Sequence, residues 1–173
     1  QVYLHKTVLA AENLLVKILK RAKYLASQNK ELFCTPALHE FLYNNHNLSS
    51  FKSNPNLLNT FADLDDMDIM ASVKVWQNHN DKVLSVLCKM MVNRNLYKIV
   101  LQNKKFEKTE VEDAKAKIQK KLKLTDDEVE YFVFQDSIVN NAYNAKKDKI
   151  NILLKNNKIS DIAEAADTLS ITA

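Results

Sequence analysis

The 173-residue chain contains no glycine. Average usage near 7% would place about 12 in a chain of this length. The absence removes several functions at once. No GxGxxG dinucleotide turn, no glycine-rich phosphate loop and no GxSxG nucleophile elbow can be built. A phosphate held by this chain must be held by side chains or by helix N-termini. Sharp turns fall to Asn, Asp and the two prolines. The 19 asparagines, among them Asn44-Asn45, Asn140-Asn141 and Asn156-Asn157, suit that task because Asn tolerates the left-handed region.

Hydrophobic residues make up 46% of the chain, enough for a buried core in one domain or two small ones. The 25 basic and 21 acidic residues are interleaved and leave a charge of +4, compatible with a phosphate partner and equally with ordinary solubility. Cys34 and Cys88 stand far apart in apolar surroundings, which indicates neither a disulfide framework nor a CxxC metal site. A reducing, cytoplasmic setting is expected. No apolar run approaches the roughly 18 residues that span a bilayer, and no signal-peptide pattern appears.

Apolar residues at Val8, Ala11, Leu15, Ile18, Ala22 and Leu25 predict a helix from Tyr3 to Ser27, with Lys17, Lys20, Arg21 and Lys23 on its polar face. Thr35 caps, and Pro36 opens, a short helix through ALHEFLYNN, and Asn44 to Pro55 reads as a polar loop. Asp65 or Asp66 caps a helix with Ile69, Val73 and Trp76 inward. Asp81 caps another with Val83, Leu84, Leu87, Met90 and Met91 inward.

Beyond Arg94 the period changes. LYKIVL reads as a strand, Thr109 with Glu112 as a capping box, and YFVFQDSI as a strand rich in aromatic and β-branched residues. KINILLKNNKISDIAEA alternates around an Asn-Asn turn and predicts a β-hairpin. The fold class expected is α+β. Residues 1–95 form an N-terminal helical bundle segment, and 96–173 a small α+β subdomain with an antiparallel sheet.

His5, His39, His46 and His79 are not followed by Asp and show no HExxH spacing, so no metal-hydrolase signature can be assembled. His39 is expected on a helix surface, His46 in a loop and His79 at a helix end where the dipole favours a cation. The paired acids Asp65-Asp66 and Asp126-Asp127, and Asp113 near Glu110 and Glu112, are explained as N-caps and first-turn acids. Ser137 and Thr7 lack a His–acid partner at any recognisable spacing.

Val2-Tyr3-Leu4-His5-Lys6-Thr7-Val8, opening a long helix, resembles the segment that follows the catalytic core in HD-superfamily phosphohydrolases related to the SAM-and-HD-domain dNTP triphosphohydrolase. Asn93-Arg94-Asn95-Leu96-Tyr97-Lys98 resembles the family's segment at a helix-to-strand junction. The stretches LDDMDIMASVKVWQNHNDKVLSVLCKMMVNRNLYKI and FVFQDSIVNNAYNAKKDKINILLKNNKISDIAEAADTLSI are similar to the downstream region of bacterial members of uncharacterised substrate. The resemblance covers nearly the whole chain, with these segments in the family's order and spacing.

The family's metal-binding H...HD...D residues lie upstream of the Tyr-x-His-Lys segment, and this chain has no His-Asp dipeptide. The resemblance therefore implies the C-terminal portion of a larger, metal-dependent phosphohydrolase, inactive by itself, with its divalent metal in a catalytic core outside these residues. It implies substrate-side roles in the intact enzyme for Tyr3 (against the sugar) and for His5 and Lys6 (near bound nucleotide at a subunit interface). For Arg94 and Lys98 it implies contact with a regulatory nucleotide. Arg offers a planar fork of donors and Lys a mobile ammonium, which fits phosphate. Both are also what the end of a helix prefers. Expected partners are a nucleotide or other phosphate ester and further copies of the parent, not a membrane. A nucleic-acid role is disfavoured because no stacking-aromatic motif accompanies the basic residues. The alternative is a free-standing protein-interaction module that pairs through an exposed strand edge.

Overall fold

The structure, a computed structural model, describes residues 5–102, 106–136, 151–154 and 158–161. The chain divides into two compact units, one running through Phe134 and one beginning at Gln135. The change of character read in the sequence near Asn95 falls inside the first. The class is α+β as expected: a helical unit, then a two-stranded antiparallel hairpin.

The first unit is built on α1, Lys6–Ser27, whose buried side is Leu9, Ala10, Leu14, Ile18, Ala22, Leu25 and Ala26. Arg21 lies on that same side and is buried, contrary to the polar face assigned to it. The helical period places residue 21 on the edge of the inward stripe, and a bidentate partner makes its burial tolerable. Helix α2, Pro36–Tyr43, starts at Thr35, whose hydroxyl accepts the Leu38 N–H. The stretch 44–55 is not all loop. Asn47 caps the short α3, Leu48–Ser53, and Asn54 caps α4, Pro55–Asp63. Both are Asn caps of the kind that favours helix starts, and they lie amid residues with no strong apolar period.

Asp65 caps α5, Asp66–Trp76, by accepting the N–H groups of Met67 and Asp68. Asp81 caps α6, Lys82–Val92, by accepting the Leu84 N–H. Both were expected from the sequence, as was the inward stripe of Val73, Trp76, Val83, Leu84 and Leu87. Met90 and Met91 are only half-buried. The core joins these helices around Leu14, Ile18, Trp76, Leu84 and Cys88. Trp76 is 1% exposed, and its indole N–H donates to the Phe33 carbonyl at 2.8 Å. A smaller aromatic cluster of Phe41, Phe51 and Phe61 ties α3 and α4 to α2.

After α6 the expected strand LYKIVL is absent: residues 96–101 form no backbone ladder. Helix α7, Lys108–Leu122, follows. Its first-turn reciprocal contact is Glu107 N–H to Glu110 at 3.3 Å, two residues upstream of the expected Thr109–Glu112 box. The four-residue α8, Asp126–Val129, is capped by Thr125, with Asp126 and Asp127 in its first turn as read. The expected strand YFVFQDSI is also absent over its described part. Residues 131–133 instead wind on from α8, with Phe132 and Val133 N–H bonding back to Val129. Strand propensity measures fit to a half-buried pleated surface. Here the aromatics find burial as side chains against the helical core, so no ladder is needed. The expected hairpin is present in the second unit. Strand β1, Asn151–Leu153, pairs antiparallel with β2, Ile159–Asp161, with Leu153 opposite Ile159. Its Asn156-Asn157 turn lies outside the described residues, as does Asn140-Asn141.

Candidate functional site

The residues singled out by resemblance fall at two chain positions. Tyr3 lies outside the described residues. His5 is the exposed N-cap of α1, its Nδ1 accepting the Thr7 N–H at 3.2 Å, and Lys6 is the exposed first helical residue. Arg94 and Lys98, both exposed, follow the end of α6. Arg21, near the end of α1, pairs with Asp81 at the start of α6, and no two helices pack more extensively than these. Hence α6 runs back along α1.

Arg94 is held in the left-handed conformation at φ 56°. Its own N–H bonds to Met91 O at 3.2 Å and the Asn95 N–H to Met90 O at 2.9 Å, the two bonds of a Schellman cap. Glycine is the usual occupant. A chain without glycine must put something else there, and among the described residues it does so at Asn29 (φ 55°), Arg94 and Lys123 (φ 51°). The backbone at Arg94 is thus explained by helix termination. Its guanidinium is exposed, as is Lys98 four residues on.

A second arrangement was not legible in the sequence. The Arg21 guanidinium makes a two-pronged contact with Asp81, Nε to Oδ1 at 3.0 Å and Nη2 to Oδ2 at 2.6 Å. Glu128 lies 3.6 Å away, and the rings of Tyr24 and Tyr131 are 5.1 and 5.3 Å from the guanidinium carbon. Burial pushes the Asp81 carboxyl up, but hydrogen bonds from Arg21 and the Leu84 N–H outweigh it and hold it below the usual range. For Arg21, burial opposes the charge and the Asp81 contacts overcome it. The pair is structural: the guanidinium is committed to Asp81, and the carboxylate is held charged by it. The signal that could have found it is the i, i+3 step from Ile18 to Arg21 on the inward stripe, together with a capping Asp in need of a counter-charge.

The other histidines are engaged. His39 is exposed on α2 and stacks on Tyr43 at 4.5 Å between ring centroids. His46, half-buried in the loop between α2 and α3, places Nε2 2.9 Å from Glu40 Oε1. His79, just past α5, accepts the Asp81 N–H at Nδ1 at 2.9 Å. An open cleft of about 450 Å³ is lined by Lys30, Leu32, Phe33, Cys34, His39 and Tyr43. Its polar atoms serve the fold: Tyr43 Oη donates to Lys30 O at 2.8 Å and accepts the Leu32 N–H at 2.9 Å. Burial raises the Cys34 thiol, which disfavours a thiolate nucleophile. Among the described residues no three His, Cys, Asp or Glu side chains come together to hold a metal ion, and no helix is long and apolar enough to cross a membrane.

No family model matches the chain. Over 58% of its length, 100 residues, it is 32% identical to the uncharacterized protein YwfO of Bacillus subtilis (strain 168), of which it spans 21%. Over 96% of its length it superposes, with a TM-score of 0.81 and 46% identity, on the crystal structure of a phosphohydrolase from Bacteroides thetaiotaomicron VPI-5482, of which it spans 41%. The chain thus spans less than half of each relative, and it is related along nearly all its length to one part of a phosphohydrolase.

Proposed function

We propose that this chain is the C-terminal, non-catalytic region of a metal-dependent HD-type phosphohydrolase acting on a nucleotide or another phosphate ester. The observation that supports it is the 46% identity over 96% of the chain to part of a solved phosphohydrolase. The described residues assemble no ligand set and no nucleophile–base pair, so no catalytic step is assigned to them. Divalent metal and the water it activates belong to the catalytic core in this reading. In this reading His5 and Lys6, exposed at the start of α1, complete the substrate pocket, and Arg94 and Lys98, exposed after α6, hold a regulatory nucleotide's phosphate. Assembly of the intact enzyme into a homo-oligomer is part of the same proposal.

Isothermal titration with GTP and a panel of dNTPs, alongside Arg94→Ala and Lys98→Ala, tests the nucleotide role. The proposal expects binding that both substitutions weaken at least tenfold, the scale of one lost charge-assisted contact. Binding unchanged in both variants, or no binding at millimolar nucleotide, removes the regulatory site from this chain.

A second reading, an interaction module, is supported by the hairpin. Leu153 and Ile159 are cross-strand partners and are 67% and 70% exposed. Sedimentation of the chain before and after Leu153→Lys separates the two, since only the module reading requires an association that the lysine abolishes.

A further inference from the structure

Residues 107–134 are attached to the helical core by few buried side chains and by hydrogen bonds to their backbone carbonyls. Helix α7 has no buried residue; Val111, Ala114, Ile118 and Leu122 make a stripe that is only half-covered. The segment's two fully buried apolar side chains are Leu124 at 8% and Val129 at 3% exposure, while Ile118, Leu122, Tyr131 and Phe132 pack half-covered against the core. The remaining attachments have a common chemistry. The carbonyls at the end of a helix have no partner within it, and here side chains from elsewhere supply one. Lys82 Nζ donates to Leu122 O at the end of α7. Lys17 Nζ donates to Glu130 O at 2.8 Å and Tyr97 Oη to Tyr131 O at 2.6 Å, both just past α8. Lys17 Nζ also sits 4.2 Å from the Phe134 ring centre, and Tyr97 packs edge-on to the same ring at 5.4 Å.

We propose that residues 107–134 form a strap that opens from the helical core as one unit, and that Tyr97 couples its closure to the basic segment 93–98. Tyr97 lies between Arg94 and Lys98, and its half-buried phenol donates to the strap and packs edge-on to Phe134. Closing the strap fixes Tyr97, and fixing Tyr97 fixes the backbone that carries both cations. The proposal stands whatever binds there. Sub-global units of this kind open at a free energy below that of global unfolding. The few buried side chains of the strap, against the continuous apolar seam of α1 with α6, place it at the low end.

Hydrogen exchange followed by mass spectrometry on the 173-residue chain tests this. Tyr97→Phe and Lys82→Met each remove one donor from the strap, and amides of α7 and α8 are expected to exchange about five- to tenfold faster in either, as one lost net hydrogen bond implies. Amides of α1 and α6 should be unchanged. Val129→Ala loosens the strap from within, and amides of residues 96–101 should then exchange faster together with the strap. Exchange in which strap and core respond equally to all three substitutions overturns the strap. Acceleration of the strap by Val129→Ala with residues 96–101 unaffected overturns the coupling.

Discussion

Arg21 and Asp81, 60 residues apart in sequence, meet through two parallel hydrogen bonds of 3.0 and 2.6 Å, with side chains 10% and 15% exposed. Asp81 does two things with one carboxylate: Oδ1 also accepts the Leu84 N–H at 2.8 Å and so starts α6. The ion pair therefore fixes where α6 begins relative to α1. Removing one member of a buried pair leaves the other charge uncompensated. Arg21→Met is expected to lower stability by on the order of 3 kcal/mol in urea titrations. The double variant Arg21→Met with Asp81→Asn should recover a large part of that loss; purely additive losses would show that the two groups are not coupled.

The same pair sets an acid limit. The folded Asp81 carboxyl lies below its ordinary value, so the stability it contributes is fully present above the ordinary carboxylate pKa near 4 and is lost as pH falls through the lower folded value. Thermal midpoints measured from pH 6 down to pH 2 should fall in the acid arm, and Asp81→Asn should flatten that arm while lowering the midpoint at pH 6. An arm equally steep in the variant would assign the acid sensitivity to other carboxylates.

Left-handed caps without glycine are a local cost that substitution can relieve. A side chain with a Cβ loses about 1–2 kcal/mol in this conformation, while glycine brings extra freedom to the unfolded chain that takes part of the gain back. Lys123→Gly and Arg94→Gly should each raise stability by about 0.5–1 kcal/mol, read as a higher urea midpoint with an unchanged slope. Asn29→Gly should change little, because Asn tolerates the region best. Equal effects at all three positions would contradict the conformational explanation.

Burial pushes the Cys88 thiol up to about 12, and its side chain is fully covered. In the native protein at pH 8, one of the two thiols should resist a thiolate-selective reagent until the core opens, since only the thiolate reacts. Cys34, half-buried with a smaller upward shift of the same cause, should react first. Labelling of Cys88 at the same rate as Cys34 would show that the core around Leu84 and Trp76 is looser than its packing implies.

What the sequence made legible was where chemistry is local. Thr35, Asp65 and Asp81 cap the helices they were read to cap, because capping is settled within three residues. The hairpin likewise follows from alternation. The readings that failed depended on partners distant in sequence. Arg21 looks solvent-facing among Lys17, Lys20 and Lys23 until Asp81 arrives. Tyr131, Phe132 and Phe134 look like a strand until Tyr97 and Lys17 supply side-chain partners. Helices α3 and α4 escaped notice because their Asn caps sit in an Asn-rich stretch that reads as turns. Of the candidate site, His5 and Lys6 stand at the start of the helix that the periodicity announces, whereas the left-handed cap at Arg94 was not legible, because glycine is its usual occupant.

Trp76 is the chain's one tryptophan, and its indole is dry, bonded to the Phe33 carbonyl. It belongs to α5, and its N–H bonds the loop before α2 rather than residues 107–134. The protein consequently carries an optical gauge of its own that reads one process and ignores another. Emission will stay at the short wavelengths of an unhydrated indole while the strap lifts and closes, and will shift to the red only when α5 parts from the loop at Phe33.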